Sequence, residues 1–337
     1  MVEVACDESG FTGGNLTSAG AVFSHASVLV SSAAAESEME RLRRRVSAHG
    51  ELKASWLLRW CDPGDLQRLL APDGLLAAGA QVLLIDIRLF LLRRLTDVLL
   101  DADEISGLDV PGRTVHTRAA AHLLHRDGER TFGSHRWQEF LVTAGFALRT
   151  NSRWGPDAPV DELDGALTAL VDAAPPAPIR QLLGRLRSAT DRARDIRQVL
   201  EADPHRPPLL EPLLPSLTQA VLWWGADRPG LRIVHDEQSA LTPWRVAEIE
   251  GRLAEQHPRH VLDLVRVDSR DDPRVQVADL VAGIARRAGS GVLAGRPDPA
   301  LVELVHPLVD PGSVWFDDTW LRSAASVTQV TAGLSPR

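Results

Sequence analysis

Val2-Glu3-Val4-Ala5-Cys6-Asp7-Glu8-Ser9-Gly10 is the stretch on which the fold of this chain turns. Val2, Val4 and Cys6 alternate with Glu3 and Ala5, the period-two pattern of a half-buried strand. The strand runs into two adjacent carboxylates, Asp7 and Glu8, and then a turn pair, Ser9-Gly10. A carboxylate at the end of a central strand is held at the rim of a sheet, where open α/β folds place their ligands. Taken alone, the stretch reads most simply as a strand followed by a polar turn. The alternation separates the two acids: Asp7 ends the strand, and Glu8 should point the other way unless the strand breaks there.

Bulk properties narrow the class. The chain has 337 residues, 44% of them hydrophobic, enough for a sizeable packed core. A formal net charge of −8 argues against a protein that coats nucleic acid non-specifically, although it leaves room for a local basic groove. Cys6 and Cys61 are the only cysteines, so neither a disulfide framework nor a CxxC zinc site is expected. No basic segment followed by an apolar run precedes the first strand. The most apolar segment, residues 75–90, contains Gln81, Asp86 and Arg88 and is no membrane span. The expectation is a soluble, cytoplasmic protein with no membrane partner. Lys53 is the single lysine in an arginine-rich chain, so a point-charge ammonium has survived there either by chance or for a chemical reason.

Outward from the opening strand, residues 18–25 read as a second strand and 31–48 as a helix ending at His49-Gly50. Glu51-Leu52-Lys53-Ala54-Ser55 leads into a segment with Trp56 and Trp60. A short helix is expected at 66–70 and a central third strand at 81–90. Residues 91–208 are rich in Ala, Leu and Arg and show no strand pattern, which predicts a helical insertion. Within it, a helix over 180–197 carries Arg180, Arg185, Arg187, Arg192, Arg194 and Arg197, a face that can track the phosphates of a nucleic-acid partner or simply be solvated. His122 and His125 lie three apart with no third ligand in view. The α/β pattern then resumes: a helix over 209–224 bearing Glu211, a strand at 231–234 ending in His235-Asp236-Glu237, and a helix opened by Thr242-Pro243. A strand at 261–267 ends at Asp268, and a helix at 275–287 has the apolar stripe Val277, Leu280, Val281 and Ile284. Asp279 falls opposite that stripe, beside Gln276, Gly283 and Arg286.

Acidic groups therefore recur at comparable places: Asp7 and Asp236 at strand ends, Asp279 on a helix face. Each also has a plain reading, as a turn, cap or solvated residue. Like charges gathered at one point need a compensating cation or proton. Carboxylate oxygens without a His/Cys set favour Mg²⁺ or Mn²⁺ over zinc. Two such ions about 4 Å apart activate water and stabilise a leaving oxygen.

The DESG of residues 7–10, the ELKAS of 51–55, the HDE of 235–237 and DSRDDPRVQVADLVAGIARR over 268–287 together resemble the domain-of-unknown-function-3800 family, which is similar to the ribonuclease H-like fold. The resemblance covers residues 1–90 and about 209–290. It implies an α/β fold with a ribonuclease H-like mixed five-stranded sheet flanked by helices, its core (1–90 and 209–337) interrupted by the helical insertion (91–208). It further implies that Asp7, Asp236 and Asp279 are catalytic metal ligands, with Glu8 nearby as a further candidate ligand and Glu51 and Lys53 as further candidate catalytic residues. A fourth carboxylate would come from Glu51 or Glu211. The activity expected is that of a divalent-metal-dependent phosphodiesterase or nuclease acting on RNA or DNA, with Lys53 neutralising a phosphate oxygen or orienting the nucleophile. The alternatives are a non-catalytic scaffold that binds a protein or nucleic-acid partner, and a metal enzyme acting on a small phosphorylated molecule.

Overall fold

The structure is a computed structural model that describes residues 1–10, 21–46, 52–71, 73–77, 79–101, 105–149, 158–175, 177–203, 205–226, 230–256, 261–317 and 321. The chain divides into two compact units. One comprises Met1–Phe11, Val22–Ile85 and Ser216–Arg337; the other comprises Thr12–Ala21 and Asp86–Pro215.

The first unit is built on a mixed five-stranded sheet. Its strands are β1 (Val2–Ser9), β2 (Val22–Val28), β3 (Ala80–Asp86), β4 (Gly230–Asp236) and β5 (Val261–Val267), in spatial order β3-β2-β1-β4-β5. β2 runs antiparallel to β1, and β4 and β5 continue parallel to it. The alternation in residues 2–9 thus becomes the central strand, and its register assigns the faces. Ala5 lies beside Val28 and Val234, whereas Cys6 lies beside Ser27 and His235. The outer edge of β3 is covered by the chain near residue 310, where Asp310 N donates to Val82 O (2.8 Å) and Val314 N to Leu84 O (2.9 Å). An unpaired row of backbone groups is thereby removed.

The helices of this unit are α1 (Ser32–Val46), α2 (Ala54–Trp60), α3 (Pro63–Leu70), the greater part of α10 (Leu213–Gly225), α11 (Pro243–Gln256), α12 (Pro273–Leu293) and α13 (Pro299–Val305). α12 is the long helix on the Ala5 face, packed on β1 and β2 and flanked by α1, α2 and α13. It opens with Asp272 as N-cap and Pro273 as first helical residue, and Arg274 ties that end to both Asp272 and Glu3 (2.7 Å each). Val277, Leu280, Val281 and Ile284 are fully buried, each stabilising the packed state by about 1.5–3 kcal/mol. On the opposite face, Trp224 of α10 donates its Nε1–H to Ser27 Oγ (2.8 Å).

The second unit is helical: α4 (Ile87–Leu100), α5 (Val115–Phe132), α6 (Ser134–Ala147), α7 (Ala158–Ala173), α8 (Pro178–Arg187) and α9 (Asp191–Ala202). Two expectations from sequence are corrected here. The third strand ends at Asp86, not at residue 90, because Asp86 Oδ1 accepts from the backbone N–H of Arg88 (3.0 Å) and Leu89 (3.2 Å) and starts a helix. The Arg-rich segment 180–197 is two helices, broken at Ser188-Ala189-Thr190. Its later arginines bond within the unit. Arg192 donates to Leu99 O, Arg194 pairs with Asp161, and the buried Arg197 donates to Phe146 O and Ala147 O at the end of α6.

Candidate active site

The end of β1 places its two acids on opposite faces of the sheet, because the strand continues unbroken through Ser9. Asp7 belongs to the Ala5 face, under α12. It is 6% exposed, and the backbone N–H of Glu8 donates to its Oδ1 (2.7 Å). The β1–β4 register pairs Cys6 with His235, so Asp7 and Asp236 stand one step further on, at the ends of adjacent parallel strands. Neighbouring strands are about 4.8 Å apart. Asp236 is oriented by Ser269 N, which donates to its Oδ1 (2.9 Å) from the turn after β5.

Asp279 reaches the same face from α12. Most of that helix is buried; Asp279 is the partly open position in its second turn, with 19% of its side chain exposed. Its setting depends on Gly283, one turn later. A Cβ added there would lie 2.5 Å from the Cβ of Ala54, so only glycine lets α2 approach α12 this closely. That approach brings Lys53, the N-cap residue of α2, to Asp279, with Nζ 3.5 Å from Oδ2. Gly10 has a similar role at the end of β1. Its φ is +104°, and a Cβ there would sit 2.3 Å from Val22 O and 2.4 Å from Arg286 Cδ. The Arg286 Nε–H donates to Ser9 Oγ (3.0 Å), fastening α12 to the turn beside Asp7.

The electrostatics follow from this crowding. Burial pushes the Asp7 carboxyl up to about 9, and the charges of Glu8, Asp279 and Asp236 push in the same direction, against the pull of the Glu8 N–H bond. A cation at this end of the sheet would relieve that repulsion, and the donors are hard oxygens suited to Mg²⁺ or Mn²⁺. Among the described residues, no three His, Cys, Asp or Glu side chains already converge as a metal-holding group. By donor chemistry and charge, Asp7, Asp236 and Asp279 are the residues that could hold such an ion.

Glu8 occupies different surroundings. In register it faces His25 of β2, and its Oε2 is 3.9 Å from Nε2 of His235. The two imidazoles are buried and stacked, centroids 5.5 Å apart, and the Nε2 of each has no hydrogen-bond partner among the described residues. Burial holds both below the usual imidazole value, His235 at about 4; His235 adds to the effect on His25. Sequence reading did not identify this pair. Its two members are far apart in the chain, and only strand register joins them; an inward-phase histidine on each of two strands was the available signal.

The remaining residues singled out from sequence fall elsewhere. Glu51 lies outside the described residues. Glu211 belongs to the other unit and precedes α10, its Oε1 accepting from Leu213 N (3.2 Å), so it is not the helix residue expected. Asp268 is held by Arg270 (2.9 Å) in a turn, and Asp272 caps α12. His122 meets Arg93 (2.9 Å) and His125 meets Asp86 (2.8 Å), so the two histidines have separate partners. No helix among the described residues is long and apolar enough to cross a membrane. No family profile, curated protein or solved structure matches the chain.

Proposed function

We propose that this protein is a divalent-metal-dependent phosphodiesterase of ribonuclease H-like fold that hydrolyses RNA or DNA at Asp7, Asp236 and Asp279. One juxtaposition carries the reading: two carboxylates end adjacent parallel strands, and the helix packed on that face adds a third, with a lysine against it. The mixed five-stranded sheet supports the fold assignment, as do the DESG and QVADLVAG stretches that supply Asp7 and Asp279.

In this reading Asp7, Asp236 and Asp279 would hold Mg²⁺ or Mn²⁺, which when bound supplies an activated water and neutralises charge at the scissile phosphate. Asp7 is the most deeply buried of the three and anchors the set. Ser269 N holds Asp236 in one orientation, which lowers the cost of ordering it around an ion. Lys53, 3.5 Å from Asp279, would neutralise a phosphate oxygen or orient the nucleophile. Glu8, turned to the imidazole face, is left out of the ligand set.

Isothermal titration with Mg²⁺ and Mn²⁺, on the wild type and on Asp7→Asn, tests the metal site. The expected result is saturable heat in the wild type and none in the variant; identical binding ends the proposal. Incubation of labelled RNA and DNA strands with Mn²⁺ tests the chemistry. Metal-dependent cleavage that disappears in Asp279→Ala is expected. Metal binding without cleavage of any strand would leave the scaffold or small-substrate alternatives in its place.

A further inference from the structure

The helix that carries Lys53 also carries two tryptophans that contribute nothing to the core. Trp56 is 47% exposed and Trp60 is 62% exposed, although tryptophan is usually well covered. The rotation of α2 is set by its buried residues, Ala54 and Leu57, with Ala54 lodged against Gly283 of α12. At 100° per residue, Trp56 and Arg59 project from the opposite side and Trp60 from its flank, about 40° round from Trp56, and the two indoles are separated by about 6 Å of helix rise. The Arg59 guanidinium lies over the Trp60 ring, 4.9 Å from its centroid. From Lys53 to Trp60 the segment holds two cations and no carboxylate, within a chain of net charge −8.

Exposed aromatic faces interleaved with cations are the components of a surface that binds single-stranded nucleic acid. Each unpaired base offers a π-face to stack, and each phosphate offers a negative charge. A duplex hides its base faces and cannot use the tryptophans. The location adds to this, since α2 begins at the lysine that touches Asp279 and is about 10 Å long. We propose that Trp56 and Trp60 form a stacking platform for unpaired bases, and that the substrate of the neighbouring site is single-stranded nucleic acid whose backbone passes from Arg59 to Lys53. The substrate assignment rests on the nuclease reading above; the binding surface does not.

The test is fluorescence anisotropy on the full chain in EDTA, where metal plays no part, with fluorescein-labelled oligothymidylate, oligouridylate and a mixed-sequence duplex as probes. Single strands are expected to bind at least about tenfold more tightly than the duplex. Replacing both Trp56 and Trp60 by Ala should weaken single-strand binding by about 25-fold or more, at roughly fivefold or more per stacked base. Replacing both by Phe, which keeps a stacking face, should recover most of that loss. Trp244→Ala, which removes a 64%-exposed tryptophan on α11, should change nothing. The salt dependence should be shallow, with a log–log slope of about −1.4 from two cations, and Arg59→Ala should cut it roughly in half. Unchanged affinity in the double-Ala protein overturns the platform, as does a Phe pair no better than the Ala pair. A change in sedimentation of the double-Ala protein with unchanged oligonucleotide affinity also overturns it and assigns the face to a protein partner. Because binding is read in EDTA and metal is read by titration heat, either result can fail while the other stands.

Discussion

Asp7 and Glu8 are consecutive carboxylates on the same strand, yet the two faces of the sheet treat them differently. On the α12 face, Asp7 meets the charges of Asp279 and Asp236 in addition to that of Glu8 beside it in the chain, and Lys53 sits against Asp279. On the other face, Glu8 meets two buried imidazoles with no hydrogen-bond partner at Nε2 among the described residues. One face concentrates negative charge that a cation would neutralise; the other keeps basic groups uncharged by burial. A strand end therefore does not confer a role on a carboxylate. The role comes from whatever the neighbouring strands and the covering helix bring to that face.

The largest effect expected from breaking this contrast is on Asp7. Asp7→Asn should lower metal affinity by at least about 100-fold, since even the partners that merely orient a ligand cost 10–100-fold when removed. The same substitution replaces a carboxyl that has to take up a proton to be buried at neutral pH by an amide that does not, so in EDTA the variant should melt above the wild type, by roughly 2 °C in differential scanning calorimetry. A variant that loses metal binding and also stability would mean that Asp7 is a structural residue.

Gly283 tests whether the α12 face depends on close helix approach. Gly283→Ala places a Cβ against that of Ala54, and overpacking of this kind costs about 1–3 kcal/mol in urea unfolding. Metal affinity should fall with it, because Lys53 and Asp279 are positioned by the same contact. Full metal affinity in a destabilised Gly283→Ala protein would separate the site from that packing.

The imidazole face has a pH signature. His25 stays neutral in the folded chain, pushed down by burial and by His235, while in the unfolded chain it protonates below about pH 6.5. The unfolded state therefore binds the extra proton at this site, and the contribution of His25 to folded stability is lost as pH falls from about 6.5. His235, stacked on it, and Glu8, opposite it in register, are the titratable neighbours on this face. His25→Phe should flatten the fall between pH 6.5 and 5 relative to wild type. Equal slopes in paired urea titrations would contradict a neutral buried His25.

The smallest effect is expected at Glu8. Glu8→Gln should change Mg²⁺ affinity by no more than about threefold, since its side chain is on the wrong face to share Asp7's ion. A loss as large as that of Asp7→Asn would erase the distinction between the faces and make both residues ligands.

Much of the sheet was legible in residue order. The alternations at 2–9 and 261–267 are strands, and Thr242-Pro243 starts a helix, with Thr242 Oγ1 accepting from Arg245 N (3.4 Å). These are local signals, and local physics suffices to read them. Residues 87–90 could not be read in the same way, because Ile-Arg-Leu-Phe after an apolar strand suits either period and only the Asp86 cap decides it. The break in the Arg-rich segment was likewise hidden, since Ser188-Ala189-Thr190 contains neither glycine nor proline.

Residue order alone was enough to mark which residues could carry chemistry: carboxylates at strand ends, one on a helix phased away from its apolar stripe, and a solitary lysine. It also determined that Asp7 and Glu8 diverge, because side-chain alternation is a property of a single extended strand. Tertiary structure alone decided their companions. Parallel pairing of β1 with β4 joins residues more than two hundred positions apart, and the approach of α2 to Gly283 sets a cation against Asp279. Those contacts depend on register and on packing distance, which no local pattern along the chain encodes.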